Sequence, residues 1–266
     1  MKRGVILGLL CCPLLLVAAA ADLTPGWQAL ANYRAAQSLT VFDRAIASGD
    51  ATAARTAQFG RAIALLDRQP VTPAVVDEAK AILSPLADAG GDDVAQGARF
   101  FLGRIAQHHQ LQPDPVEAAR QYERLIAEHE NSIWAQTALS RLALLKIYEL
   151  DRSESPAARI ATAEKLLAHA RNASAESELR MAIANAIFFY RLPAAGALPH
   201  LLAAERLGRL DWVTRAETLV QIAELSRLAG NRAQAAQFYR TFLAENPRDL
   251  RDYIVNERLA EMELKP

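Results

Sequence analysis

Apolar residues recur at spacings of three and four along most of this chain. Ile160, Ala163, Leu166, Leu167 and Ala170 form one stripe, and Leu219, Ile222, Ala223 and Ala229 form another. That period lines one face of an α-helix, whereas a half-buried strand would alternate at every second residue. No segment shows sustained alternation rich in valine, isoleucine and threonine. Alanine, leucine, arginine, glutamate and glutamine, all strong helix formers, fill the periodic stretches. The pattern predicts an all-α chain of about twelve helices, over residues 24–48, 51–68, 73–88, 92–109, 115–129, 132–150, 156–171, 174–191, 195–208, 211–229, 232–245 and 248–263. Short connections predict antiparallel neighbours. With no long Pro/Gly/Ser linker, residues 22–266 read as one continuous domain.

The helix ends are marked by local chemistry. Proline is tolerated at the first helical position, and a preceding Thr, Ser or Asp can accept from the free amides there. Thr24-Pro25, Thr72-Pro73, Asp114-Pro115 and Ser155-Pro156 fit this pattern, and Glu117 predicts a capping box with Asp114. Stops are expected at Gly49-Asp50, Gly90-Gly91 and Gly230-Asn231, where glycine can take the left-handed conformation.

The stretch Leu219 to Pro247 reads as two short amphipathic helices joined at Gly230. Such a pair cannot bury its apolar face alone and must stack on neighbours. A tetratricopeptide repeat has about 34 residues, with the pattern W-x2-L-G-x2-Y, then A-x3-F, then P. The stretch resembles that family. Leu219, Ile222 and Ala223 stand at its first large residue, its leucine and its small residue, and Ala235, Tyr239 and Pro247 match the second helix and its stop. Phe242 and Leu243 fill large apolar slots, whereas Ser226 departs from the usual aromatic. A second, partial copy runs from Leu102-Gly103 to Ala118 and Tyr122. There Ala106 replaces the aromatic, the loop around Gln110 to Asp114 is roughly three residues too long for the repeat, and Asn131 follows without proline. The resemblance covers about a quarter of the chain. It implies a TPR-like α-solenoid of helix-turn-helix units with a concave face, and an irregular helical array remains the alternative.

The N-terminus changes the expected address. Lys2 and Arg3 precede an apolar run, Gly4 to Val17, and a small-residue tail, Ala18 to Ala21. This is a secretory signal pattern, and cleavage after Ala21 would leave Asp22 first. The alternative is an uncleaved membrane anchor, since the run just reaches spanning length. Cys11 and Cys12 lack the preceding small residue that bacterial lipidation needs, and both would leave with the segment. The mature chain would then hold neither disulfide nor thiolate, and its 28 basic residues against 30 acidic ones give a formal charge near −2. That balance offers no basic face for nucleic acid. The expected location is periplasmic or secreted.

Candidate chemistry is sparse. His108 and His109 are neighbours and on a helix point about 100 degrees apart, so they do not share a metal easily. His129, His169 and His200 are scattered, and no H-E-x-x-H, G-x-G-x-x-G, G-x4-G-K-[ST] or G-x-S-x-G occurs. Some lytic transglycosylases join an α-solenoid to a catalytic Glu-Ser pair. Glu154-Ser155 and Glu176-Ser177 provide the dipeptide without the flanking segment that family uses. Trp134 and Trp212, near helix starts, are expected to plug gaps between helices.

No cofactor, metal or catalytic group is therefore expected. The resemblance implies a non-catalytic scaffold of the bacterial cell envelope that holds a protein or peptide partner in its groove. In that family the first helix of each pair usually lines the concave face, which makes Arg99, Arg104, Gln107, Arg141 and Gln221 the candidate partner-binding residues. Two alternatives stand beside it: a self-associating structural protein, and a peptidoglycan-acting enzyme or its accessory subunit. The charged C-terminal segment, Arg248 to Pro266, reads as a solvating cap that opposes open-ended stacking.

Overall fold

Helix-forming composition and well-placed caps produce thirteen α-helices among residues 22–264, the part of the chain that the computed structural model describes, with no strand among them. They are α1 Thr24–Ala31, α2 Ala35–Ala47, α3 Ala51–Asp67, α4 Pro73–Asp88, α5 Asp93–Arg104, α6 Pro115–His129 and α7 Ile133–Tyr148. The rest are α8 Pro156–Glu164, α9 Ala173–Phe189, α10 Leu198–Leu207, α11 Trp212–Leu228, α12 Arg232–Glu245 and α13 Asp252–Leu264. A π turn, Ile105–His109, follows α5, and 3-10 turns, Lys165–His169 and Ala194–Gly196, follow α8 and precede α10. The signal-like segment lies outside the described residues. No helix among those described is long and apolar enough to cross a membrane.

Three local expectations are corrected. The single helix expected over 24–48 is two, because Tyr33 takes φ +57° and the Arg34 amide bonds back to the Ala29 carbonyl at 2.8 Å. The reversal folds α1 onto α2, so that Trp27 meets Phe42 edge-on at 5.0 Å. Thr24 begins α1 rather than capping it, and the Asp22 carboxylate accepts from the Thr24 amide at 2.9 Å. The capping box at α6 is half made. Asp114 accepts from the Glu117 amide at 2.9 Å, but the Asp114 amide donates to Ala106, and Glu117 turns to Arg120 and Gln121 instead. Thr72 and Ser155 cap α4 and α8 as their sequences require.

Consecutive helices pack antiparallel in pairs from α1 to α13, giving the α-solenoid architecture. Over the first nine helices the odd-numbered ones also lie side by side, α1 on α3, α3 on α5, α5 on α7 and α7 on α9. In a curved two-layer array the helices of the inner layer approach one another most closely. This odd row is therefore the inner face. Beyond α9 the main packing runs through consecutive neighbours as far as α13, although Ile222 of α11 still joins the central cluster.

The core is a chain of apolar clusters joined by shared aromatics. Trp27 packs against both the α1–α3 cluster and the α3–α5 cluster, Phe101 and Trp134 link the latter to the central one, and Phe238 links that to the C-terminal helices. Phe59 and Trp134 meet at 5.7 Å, and Phe100 stands 5.6 Å from Trp134 and 5.8 Å from Tyr122. Such ring pairs add about 0.5–1.5 kcal/mol each beyond area burial. Helix α7 sits at the centre, with Leu139, Leu142, Leu145 and Ile147 all buried, so it is apolar on several faces rather than one.

Candidate partner-binding site

Three of the five candidate residues come together on the odd row. Arg104 ends α5, Gln107 lies in the π turn that follows, and Arg141 stands on α7. The Tyr122 hydroxyl of α6 donates to Gln107 Oε1 at 3.1 Å. Burial raises the Tyr122 phenol above its ordinary value, although both Arg104 and Arg141 pull it the other way. Burial first, and the neighbouring charge of Arg141 second, hold the Arg104 guanidinium below its ordinary value.

Neither arginine has a carboxylate partner among the described residues. Arg104 lies over the Phe101 ring at 5.9 Å, and its buried Nε has no acceptor. Arg141 is half-buried. Several half-buried arginines elsewhere are paired, Arg61 with Asp43 and Glu78, Arg215 with Glu205, and Arg251 with Asp249, whereas Arg159 lies over the Tyr190 ring without a carboxylate among the described residues. A cleft of about 240 Å³ opens beside Arg104, walled by Leu30 of α1, Ile63, Leu66 and Asp67 of α3, Phe101 and His109. Burial is also the largest cause holding His108 and His109 below the usual imidazole range, with Arg104 next in both cases. Both rings are therefore neutral at neutral pH.

The π turn shapes this corner. It ends with the Gln110 amide on the Ile105 carbonyl at 3.3 Å, and the loop closes when the Asp114 amide reaches Ala106 at 2.8 Å. The overlong loop noted in the sequence is thus taken up as a wide turn that places His109 in the cleft wall. Single π turns of this kind are frequent at functional sites. The sequence marked His109 only as the neighbour of His108, in a pair weighed for metal binding. Leu30, Ile63, Leu66 and Phe101 read only as core stripe, and nothing in their spacing marks them as an open wall.

The other two candidates lie elsewhere. Arg99 is buried between α4, α5 and α6, and its guanidinium donates to the Ala87 carbonyl at 3.0 Å. Gln221 is on α11, donates to Glu217 at 2.9 Å, and keeps a buried Oε1 without a partner. Neither reaches the cleft.

The remaining polar features have local roles. Ser155 caps α8 through the Ala158 amide at 3.2 Å, Glu176 pairs with Arg180 at 2.7 Å, and Ser177 is buried. No group of three or more His, Cys, Asp or Glu side chains that could hold a metal occurs among the described residues. Trp134 fills the gap between α3, α5 and α7, and its Nε1 donates to Asp93 at 2.9 Å. Trp212 does not plug a gap. It begins α11 above the 245–251 turn, where nothing covers it, and is 80% exposed. Leu250, Tyr253 and Ile254 are exposed at the same end, so the charged cap carries an apolar patch.

Comparison with known proteins adds little. No family's sequence profile matches the chain, and no curated protein matches it in sequence. Among solved structures, it is similar to a crystal structure of a thermophilic TPR protein of Thermus thermophilus. The likeness spans 91% of this chain and 97% of that one, at 18% identity and a TM-score of 0.29. A superposition that loose transfers nothing to this chain.

Proposed function

We propose that the protein is a non-catalytic scaffold that holds a protein partner along its inner face. The observation that carries this reading is the continuous row of α1, α3, α5, α7 and α9, which presents a walled cleft and two half-buried arginines without carboxylate partners. Helical arrays of this form use such a face to hold extended or helical segments through apolar slots and side-chain hydrogen bonds. The reading includes export: the chain is cut after Ala21 and works in the cell envelope, as its N-terminal pattern implies. Its partner is a protein rather than a nucleic acid, given the near-neutral charge of the mature chain.

The test is site-specific photo-crosslinking in cells. A benzophenone residue at His108, exposed beside the cleft, is compared with one at Lys80, exposed on the outer helix α4. The expected result is a discrete partner at His108 and none at Lys80. That partner, made separately, must also bind the purified protein. Equal labelling at both positions would sink the inner-face reading. N-terminal sequencing of the mature protein checks the address, with Asp22 expected.

The exposed Trp212, Leu250 and Tyr253 favour a second reading, self-association through the C-terminal end. Crosslinks between copies, together with a mass that rises with concentration, would move the weight there.

A further inference from the structure

We propose that the cleft bounded by α1, α3 and α5, with Arg104 in its wall and Arg141 beside it, seats an acidic side chain of the partner next to an apolar one. The inference rests on the scaffold reading and names the chemistry of the segment it holds.

Charge is the first argument. Two guanidinium groups that are half withdrawn from water, and that act on each other, are a costly arrangement unless a carboxylate answers them. At several half-buried arginines this chain supplies that carboxylate itself, as in Arg61 with Asp43 at 2.8 Å and Arg215 with Glu205 at 2.8 Å, whereas the buried Arg159 rests on the Tyr190 ring at 5.2 Å. At Arg104 and Arg141 it supplies none among the described residues. Asp67 lines the opposite wall without an ion pair to Arg104 or His109. With both histidines neutral, the two arginines and one aspartate leave the corner net positive.

Geometry is the second. The Arg104 Nε is sealed off, but its terminal nitrogens form no hydrogen bond among the described residues and are not sealed, which leaves them for a ligand. The ring of Phe101 lies 5.9 Å from the guanidinium carbon and attracts the cation through its face. A planar fork held in this way suits a carboxylate in two-point contact.

Size is the third. A space of about 240 Å³ walled by Leu30, Ile63, Leu66 and Phe101 takes one aliphatic side chain. Whole small-molecule sites run to roughly 300–1,000 Å³ and enclose their ligand more fully. The site therefore fits an apolar residue with an acidic neighbour, presented by a segment lying across the odd row.

The test uses the purified full chain and rhodamine-labelled hexapeptides read by fluorescence anisotropy. One peptide alternates leucine and glutamate, one leucine and lysine, and one glycine and glutamate. Binding is expected for the leucine-glutamate peptide and at least tenfold weaker for the other two. Arg141→Gln should weaken it tenfold or more, Arg104→Lys should retain part of it, and Arg120→Gln, exposed on α6, should leave it unchanged. Arg141 makes no hydrogen bond or ion pair among the described residues, so Arg141→Gln removes no polar contact of the fold and carries the test even if changes at Arg104 do not. Equal binding of the acidic and basic peptides, or a change of less than twofold in Arg141→Gln, overturns the proposal. Inorganic phosphate displacing the peptide as well as free leucine-glutamate peptide does would overturn its apolar half. A partner still crosslinked at His108 while Arg141→Gln changes nothing would remove this inference and leave the scaffold reading intact. No crosslinked partner would remove the scaffold reading itself.

Discussion

The ring of Tyr122 lies against the backbone of Gly103, so closely that a Cβ on the glycine would meet Tyr122 Cε1 at 2.6 Å. The two residues stand on α5 and α6, and Tyr122 is fully buried between them. The small residue is what lets the two helices close around an aromatic, and Ala118, one turn before Tyr122, is equally buried. The Leu102-Gly103 to Tyr122 match in the sequence thus has a packing reason.

Gly103→Ala should therefore destabilise the protein. Alanine gains about 0.5–1 kcal/mol over glycine in a helix interior, whereas forcing an extra carbon into a packed core costs about 1–3 kcal/mol. The clash is with a ring that has no free volume, so the second effect wins. The expected net loss is about 1–2 kcal/mol, or a fall in Tm of about 2–8 °C for a domain of this size. A rise in Tm in thermal denaturation would show that the Tyr122 ring can move aside.

Tyr239 occupies the corresponding place in the C-terminal pair, and its hydroxyl donates to the Glu224 carboxylate. Burial pushes the Glu224 carboxyl up, but the Tyr239 hydroxyl and the Arg227 guanidinium together outweigh it and hold the group below the usual carboxylate range. The stability this provides is complete above the unfolded carboxyl value near 4.3 and is lost as pH falls through the lower, folded one. Tyr239→Phe should cost about 1–2 kcal/mol at pH 7 in urea denaturation. It should also shrink the loss seen between pH 5 and 3. An unchanged acid limb would mean that Arg227 alone sets the group.

The period of three and four was sufficient to place nearly every helix, because most bury one stripe against a neighbour, and the all-round apolar α7 is marked instead by its Ser132 cap. It failed where a helix boundary depends on one residue's conformation. Tyr33 at positive φ breaks what reads as one helix, and only Asn32 beside it hints at a turn. In the candidate site, Arg104, Gln107 and Arg141 were legible because they are polar residues on first-of-pair helices. Arg99 has the same description and is nevertheless turned into the interior, since the Ala87 carbonyl at the end of α4 needs a donor. Which polar residue faces the groove depends on such unpaired carbonyls, and these appear only once the helices are packed.

Trp134 and Trp212 stand at matching positions near helix starts but in opposite environments. Trp134 touches Phe59, Phe100 and Phe101, whereas Trp212 is 80% exposed. Trp134→Ala should cost about 3–5 kcal/mol. Trp212→Ala should change stability by no more than about 0.5 kcal/mol, as surface substitutions do. Chemical denaturation of the two variants side by side checks this. A large loss for Trp212 in a concentration-dependent transition would reveal a covered interface and favour self-association.

Acidification links the histidines to the cleft. Burial leads the causes that hold His108, His109 and His200 below the ordinary imidazole value, and for His200 it prevails over the Glu164 carboxylate 3.1 Å from its Nε2. A histidine depressed in the folded state takes its proton more readily when unfolded. Stability is thus full above the unfolded value near 6.5 and declines as pH falls through the lower, folded values. The free protein should lose stability between pH 7 and 5.5, and His200→Leu should flatten part of that slope. A bound acidic segment changes the sign at the cleft. His108 faces Arg104 of α5 and Arg141 of α7, His109 faces Arg104 and His108, Asp67 of α3 shares the cleft wall with His109, and the neutral Tyr122 of α6 stands near the two arginines. A ligand carboxylate added there favours their protonated forms, while the peptide's own glutamates stay ionised down to about pH 4.3. The leucine-glutamate peptide should therefore bind more tightly at pH 6 than at pH 7.5. The gain should disappear in a His108→Gln, His109→Gln double variant that still binds at pH 7.5. Affinity that falls over this range in the unmodified protein would place the peptide carboxylate away from the histidines, and so outside the cleft wall that His109 forms.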